Sequence, residues 1–335
     1  MVSKPTVISL FAGCGGSSLG YKWAGFKELL AIDFDQNAVD TFRLNFPEVP
    51  CWQRDIREVM GQEILDFCKI KKGELDLLDA SPPCQGFSTA GKRKVTDPRN
   101  DLFREFVRLI KELGPKVFVM ENVSGLVKGP MRGIFNDILR ELRGCGYQVK
   151  CKLMNAKWYG VPQSRPRIIF IGIRDDLDGE ITFPIQKNII PLRDVLKDVP
   201  ISESVYPQGK AAIYAARIKP WKDGGDVTGR EFGRETFFNL KRLAWNYPAR
   251  TITKTIRPAQ CGLLHPDENR FLTIMELKRI STFPDEFQFL GTFRDQWARI
   301  GNAVMPKFME AIASHVKATL LDEASIRKTR EKANG

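Results

Sequence analysis

The sequence predicts an open α/β fold, a mostly parallel sheet with helices on both faces, followed by a smaller and more irregular basic domain. Three observations carry this. Through residue 174, short apolar runs of strand length alternate with stretches of 3.6-residue periodicity. The polar residues that stand out sit directly after those runs, where open α/β sheets bind ligands. Beyond about residue 183 the periodicity stops, and prolines, glycines and cations scatter.

Taken in order, TVISLFA at 6–12 reads as a buried strand ended by GCGG, and a helix follows from Ser17 with Leu19, Trp23 and Phe26 on one face. LLAIDF at 29–34 is a second strand and 36–46 a second helix, and a third strand ends before Asp55. LDLLDA at 75–80 is a strand cut off by Ser-Pro-Pro. Residues 101–113 form an amphipathic helix, 117–123 a strand, 131–143 a helix and 167–174 a strand. Regular helix returns at 273–282 and 303–321, and the tail IRKTREKANG reads as frayed. No internal repeat is present.

Composition narrows the function classes. A chain of 335 residues, 43% hydrophobic and 27% charged, can bury a large core, and no run approaches a membrane span. The N-terminus lacks the long apolar stretch of a secretory signal. Seven cysteines with no C-x-x-C pair, and two histidines in all, argue against zinc and against a disulfide framework, and predict a reducing cytoplasm. The net charge of +12 favours a polyanionic partner, though solubility alone would also explain it. Residues 187–257 hold 14 Lys and Arg against 7 Asp and Glu, so this stretch carries more than its share of the cations.

The loop Phe11-Ala12-Gly13-Cys14-Gly15-Gly16 lets backbone approach a ligand closely at a helix N-terminus. Asp33, twenty residues after Gly13, ends the second strand, where a carboxylate accepts from ribose hydroxyls, and Phe34 beside it suits an adenine face. The pattern points to an adenosine-type cofactor without choosing NAD or S-adenosylmethionine. Asp55 is placed to accept from an adenine amine, with Ile56 beside it; a solvated surface Asp is the plain alternative. In Ser81-Pro82-Pro83-Cys84 two prolines fix the backbone before a cysteine at the sheet edge, a rigid mount for a thiol nucleophile. The other six cysteines read as structural. Gly86 to Arg99 reads as a mobile basic loop able to close over a phosphate backbone.

Glu121 ends the strand at 117–123 and would face the same crevice as Cys84. A protonated carboxyl there would stabilise charge pushed onto a pyrimidine ring at nitrogen 3, which requires partial burial; a helix cap is the alternative. Arg165 and Arg167 open another strand and share a face under two-residue alternation, suiting a carbonyl oxygen, a carboxylate or a phosphate; an edge salt bridge is the alternative.

As an ordered set, FAGCGGSSLG, AIDFDQNA, RDI, DASPPCQGFS, ENV, NAKWYGVPQSRPR, RFLTIMELKRISTFP and GNAVMPKF resemble the DNA cytosine-5 methyltransferase family, of the bacterial or phage restriction-modification type, over nearly the whole chain except about 185–250. The resemblance implies a Rossmann-like S-adenosylmethionine-dependent methyltransferase with a mixed sheet and a small inserted target-recognition domain. It implies S-adenosylmethionine held by Phe11 to Gly16, Asp33, Phe34, Asp55, Ile56 and Asn302. It implies Cys84 attacking carbon 6 of a flipped cytosine, Glu121 gripping ring nitrogen 3 and the exocyclic amine, Arg167 holding the carbonyl oxygen, and Arg165 supporting Glu121 or a phosphate. Gln85, Ser88, Arg99, Thr251 and Thr253 are its DNA-contacting candidates, the last two in ARTITK at 249–254. The family commonly has Glu where this chain has Asp33.

The boundaries expected are 1–184 for the catalytic and cofactor-binding domain, 185–272 for target recognition, 273–297 for a hinge segment, and 298–335 for a C-terminal helix returning to the catalytic domain. The implied partner is double-stranded DNA, with no membrane and no metal, monomeric action, and a restriction endonuclease of the same specificity as a possible companion in a prokaryote or phage. Rival readings are a transfer-RNA cytosine methyltransferase, a catalytically inactive DNA-binding relative, and an NAD-dependent oxidoreductase, in whose chemistry PPCQ and ENV have no task. Within the recognition stretch no portable code identifies the residues that read bases.

Overall fold

The computed structural model describes residues 4–83, 102–127, 132–200, 203–218 and 240–322. Cys84, Gln85, Ser88 and Arg99, the remainder of the expected basic loop, and the tail from residue 323 therefore lie outside the described residues. The chain divides into two compact units, one made of 1–154, 166–185 and 309–335, the other of 155–165 and 186–308.

The first unit is built on a seven-stranded sheet. Its strands are β1 (Thr6–Leu10), β2 (Lys27–Asp33), β3 (Cys51–Gln53), β4 (Leu77–Ala80), β5 (Val117–Val123), β6 (Tyr147–Asn155) and β8 (Pro166–Arg174), in spatial order β3-β2-β1-β4-β5-β8-β6. The five strands from β3 to β5 run parallel; β8 pairs antiparallel with β5. The chain thus builds outward from β1 to β3, then returns to lay β4 on the other side of β1. That reversal is a topological switch point, and the loops leaving β1, β2, β3 and β4 emerge along one edge.

Alternation along the strands sorts the helices onto the two faces. Ile8, Leu10, Leu78, Ala80, Phe118 and Met120 face one way, into a core completed by Ile64 and Leu65 of α3 (Gly61–Cys68), Phe106, Val107 and Ile110 of α4 (Leu102–Leu113), and Ile138 and Leu142 of α5 (Arg132–Arg143). Helix α4 shows why it forms. Phe103, Phe106, Val107, Ile110 and Leu113 are buried on one stripe. On the outer side Arg108 pairs with Glu105 at 2.9 Å and Glu112 at 3.0 Å, the i,i+3 and i,i+4 spacings that steady a helix.

The opposite face receives α1 (Gly16–Trp23), whose Tyr21 hydroxyl reaches Asp79 of β4. Next to it lies α2 (Gln36–Asn45), started by Asp35, whose side chain accepts from the Ala38 amide at 3.1 Å. The last helix, α9 (Pro306–Val316), runs into a π-helical turn at Lys317–Leu321. There Lys317 Nζ donates to the Ala24 carbonyl at 3.3 Å, tying the returning chain beside α1.

The second unit holds α6 (Lys210–Arg217), α7 (Ile274–Ile280) and α8 (Phe293–Asn302), with two short parallel pairs: β7 (Gln163–Ser164) with β10 (Ala249–Arg250), and β9 (Leu240–Arg242) with β11 (Gly262–Leu264). Capping boxes start α7 at Thr273 and α8 at Thr292. Buried Arg270 pairs with Glu276 at 2.8 Å and with Glu268 at 2.9 Å. The segment 273–297, expected as a hinge, holds α7 and the first half of α8. Residues 155–165 belong to this unit although they precede β8, which the expected boundaries did not include.

Candidate active site

The glycine loop is a built turn. Phe11 leaves β1 with a positive φ of 56°, unusual for a bulky residue. The Ala12 amide then donates to Ile32 O at 3.0 Å, and the Gly15 amide to Ala12 O at 3.1 Å. Gly15 caps α1 at φ 93°, and a Cβ there would lie 2.4 Å from the Phe46 ring, so this position requires glycine on two counts. At Gly13 a Cβ would meet nothing within 4 Å, so the loop's outer side is open. Cys14 is buried, as are Gly16 and the first turn of α1.

Asp33 braces this loop. Its carboxylate accepts from the Gly13 amide at 2.8 Å and from the Asp35 amide at 2.9 Å. The neighbouring Phe34 ring is 69% exposed, a large aromatic left in water at a strand end. Asp55 caps the 3-10 turn Ile56–Glu58, accepting from the Arg57 amide at 3.0 Å, and the Arg57 guanidinium holds its carboxyl below the usual carboxylate range. Ile56 itself is buried in the core. An open backbone turn, an acid that braces it and an exposed aromatic, on neighbouring parallel strands, fit the adenosine moiety of S-adenosylmethionine. Asn302, the remaining cofactor candidate, is an exposed residue at the end of α8 in the second unit.

The strand that leads to Cys84 is wholly buried. Asn122 of β5 donates from Nδ2 to the Pro82 carbonyl at 3.4 Å, and its Oδ1 accepts from the Val123 amide at 2.8 Å. Asn122 thus steadies the backbone two residues before Cys84, a role the sequence reading did not assign. Burial pushes the Cys51 thiol up to about 12 and Cys68 up to about 11, and it raises Cys145 and Cys151. Those four are poor nucleophiles at neutral pH.

Glu121 is 8% exposed, and its Oε1 lies 2.6 Å from Arg167 Nε. The pairing follows from register. Val123 sits opposite Arg167 in the antiparallel ladder, so Glu121, two residues back on β5, occupies the diagonal on the same face. Arg165 takes a different course. It falls between β7 and β8, is 3% exposed, and donates to Ile252 O at 3.0 Å and Gly301 O at 2.9 Å in the second unit. The expected shared face for Arg165 and Arg167 is therefore corrected: the break between the two ladders sends the guanidinium groups to different partners.

Around Arg165 the second unit is tightly knit. Thr251 Oγ1 donates to Ser164 O at 2.7 Å, and the Ile252 amide to Gln163 Oε1 at 3.2 Å. Trp297 Nε1 donates to Thr253 O at 3.0 Å, while the exposed Thr253 hydroxyl donates to Thr255 O at 3.3 Å. A Cβ on Gly301 would lie 2.4 Å from that same Thr253 oxygen. Among the described residues no three His, Cys, Asp or Glu side chains gather to hold a metal, and no helix is long and apolar enough to cross a membrane.

A family profile described as C-5 cytosine-specific DNA methylase matches residues 5–318. Type II methyltransferase M1.HphI of Haemophilus parahaemolyticus is 37% identical over 324 residues, covering 93% of this chain and 86% of that protein. Type II methyltransferase M.Eco47II of Escherichia coli is 36% identical over 345 residues, covering 96% and 81%. Among solved structures, a chain described as a DNA modification methyltransferase encoded within an E. coli prophage superposes with a TM-score of 0.75 at 27% identity, covering 95% of this chain and 100% of that one. A DNMT2 variant from Spodoptera frugiperda shares the fold, with a TM-score of 0.68 at 20% identity over 95% of this chain and 100% of that one.

Proposed function

This chain belongs to the C-5 cytosine-specific DNA methylase family and is a DNA cytosine-5 methyltransferase, and from that premise we propose how its residues divide the work. The observation that supports this division is the Glu121–Arg167 pair, with Glu121 on β5, the strand beside the one that leads to Cys84, and Arg167 on β8.

A cytosine presents an amine donor, an acceptor at ring nitrogen 3 and a carbonyl acceptor along one edge. Carboxyl and guanidinium held together match that edge: Glu121 takes the amine and shares a proton with nitrogen 3, and Arg167 donates to the carbonyl oxygen. The Cys84 thiolate adds to carbon 6, forming a sulfur–carbon bond. The displaced electron pair moves toward nitrogen 3, where Glu121 stabilises it, and carbon 5 becomes nucleophilic. S-adenosylmethionine, when bound, supplies the electrophilic methyl group. Loss of the carbon 5 proton then expels Cys84 and restores the ring. The base must leave the duplex stack for this, at a cost of a few kcal/mol. Phe11 to Gly16, Asp33 and Phe34 would hold the cofactor, with Asp55 and Ile56 as further contacts. Arg165 keeps Ile252 and Gly301 in place, so its part is positioning rather than contact with the base.

We infer that double-stranded DNA is engaged through residues 186–308, with Thr251 and Thr253 against its backbone, and through the basic stretch around Gln85, Ser88 and Arg99. The enzyme methylates one short recurring sequence as a monomer in the cytoplasm of a prokaryote or phage-infected cell. The test is transfer of labelled methyl to unmethylated genomic DNA and, separately, to total transfer RNA, with base-resolution mapping. Label at one recurring DNA sequence is expected; label confined to RNA would overturn the reading.

A further inference from the structure

The mechanism above leaves one buried cluster unused. Asp79, in the middle of β4, is 1% exposed, and its neighbours Leu78 and Ala80 face the apolar core. It points the other way, toward α1. There the fully buried Tyr21 hydroxyl donates to Asp79 Oδ1 at 3.0 Å, and the Ser17 hydroxyl also hydrogen-bonds this carboxyl. Beside it, Ser18 Oγ donates to Glu28 of β2 at 2.9 Å. An acid in the middle of a wholly buried strand is costly unless it has partners, and a packed apolar side chain would be simpler. Its two partners both sit on the helix that leaves the glycine loop, and Asp79 itself is five residues before Cys84.

We propose that Asp79 is a positioning residue for methyl transfer: by accepting from Tyr21 and Ser17 it clamps the helix behind the cofactor loop to the strand that leads to the nucleophile, so the cofactor loop keeps its place against that strand. This rests on the glycine loop being the S-adenosylmethionine site. Accepting from two hydroxyl donors favours the charged acid, and burial opposes it. Burial, together with the Glu28 and Glu121 charges, pushes Asp79 up to about 8 against the lowering effect of its hydroxyl partners, and burial pushes Glu28 up to about 7. Tyr21 and Ser17 from α1, Glu28 from β2 and Glu121 from β5 are the groups that face Asp79.

The experiment is calorimetric binding of S-adenosylhomocysteine to the full chain, with Tm and single-turnover methylation alongside, for wild type and the near-isosteric variants Tyr21→Phe and Asp79→Asn. Tyr21→Phe is expected to weaken binding by about five- to tenfold, the worth of one hydrogen bond, and to slow single-turnover transfer. Asp79→Asn keeps an acceptor oxygen for the hydroxyls and is expected to weaken binding less than Tyr21→Phe does. Tyr21→Phe binding and transferring as wild type, with only Tm lowered, would show the cluster to be packing alone and overturn the proposal. A wild type that binds no S-adenosylhomocysteine would instead bring down the reading of the glycine loop, and this proposal with it.

Discussion

Replacing Arg167 by alanine tests the centre of the site most directly. Its guanidinium and the Glu121 carboxyl are 13% and 11% exposed and 2.6 Å apart, so water screens them little. Removing one partner of such a pair leaves the other charge buried alone, at a cost of about 3 kcal/mol. In a cooperative unit of roughly 150–250 residues that lowers Tm by about 6–12 °C. Removing both charges, in Glu121→Gln with Arg167→Ala, leaves no orphan charge, and the double variant is expected to lose less stability than the two single losses summed, by about 0.5–3 kcal/mol. Turnover behaves differently. Arg167→Ala, Glu121→Gln and the double variant each lose contacts to the base, and each is expected to cut single-turnover methylation by at least about tenfold, the lower end for a charged hydrogen bond. Thermal unfolding and rapid-quench methylation on one DNA substrate supply the four corners of both cycles. Additive Tm losses would refute the pairing argument, and full turnover in the double variant would remove both residues from the site.

Cys84→Ser is expected to reduce methyl transfer to background while DNA affinity in a gel-shift titration stays within about threefold; loss of both together would make Cys84 structural. Gly15→Ala forces a side chain onto φ 93° and into Phe46, costing about 2–5 kcal/mol, and calorimetry is expected to show weakened cofactor binding with the fold retained by circular dichroism. Stability is expected to depend on pH through Glu28 and Asp79. Both folded-state values, about 7 and about 8, lie above those of an unfolded carboxyl, so their contribution is complete below the unfolded values and is lost as pH rises through 7 and 8. Urea unfolding between pH 5 and 9 is expected to show a loss of up to about 1.4 kcal/mol per pH unit per group, and a flat curve would contradict this.

The sheet was legible because its strands are short apolar runs with punctuation at both ends, and the glycine loop, Asp33 and Glu121 stand just past such ends or at them. Two elements of the first unit were not read. Helix α3 has only eight residues and no capping side chain at Met60, so neither its period nor its start is marked. In β6, Tyr147 and Val149 turn in while Gln148 and Lys150 turn out, and the lysines of an edge strand hide a real two-residue alternation. In the second unit α8 went unread because its capping box, Thr292 with Asp295, precedes a run rich in charge. Pairings across distance were out of reach altogether. Asp79 is visible as an acid in an apolar run, but nothing local says that Tyr21, 58 positions earlier, answers it. Likewise Arg165 and Arg167 look equivalent until the ladder is seen to break between them.

The strip 155–165 has a consequence for how specificity can be transplanted. It is separated in the chain from 186–308 by the whole of β8, yet both belong to one compact unit. Inside that unit Gln163, Ser164 and Arg165 hold Ala249 to Ile252 and Gly301 through a strand pairing and side-chain bonds. A chimera that borrows only 186–308 from a relative would therefore seat a foreign recognition segment on native residues 163–165. Exchange of target sequence between such enzymes by recombination is a two-segment problem, and grafts that carry both segments are the ones expected to fold and methylate the donor's site.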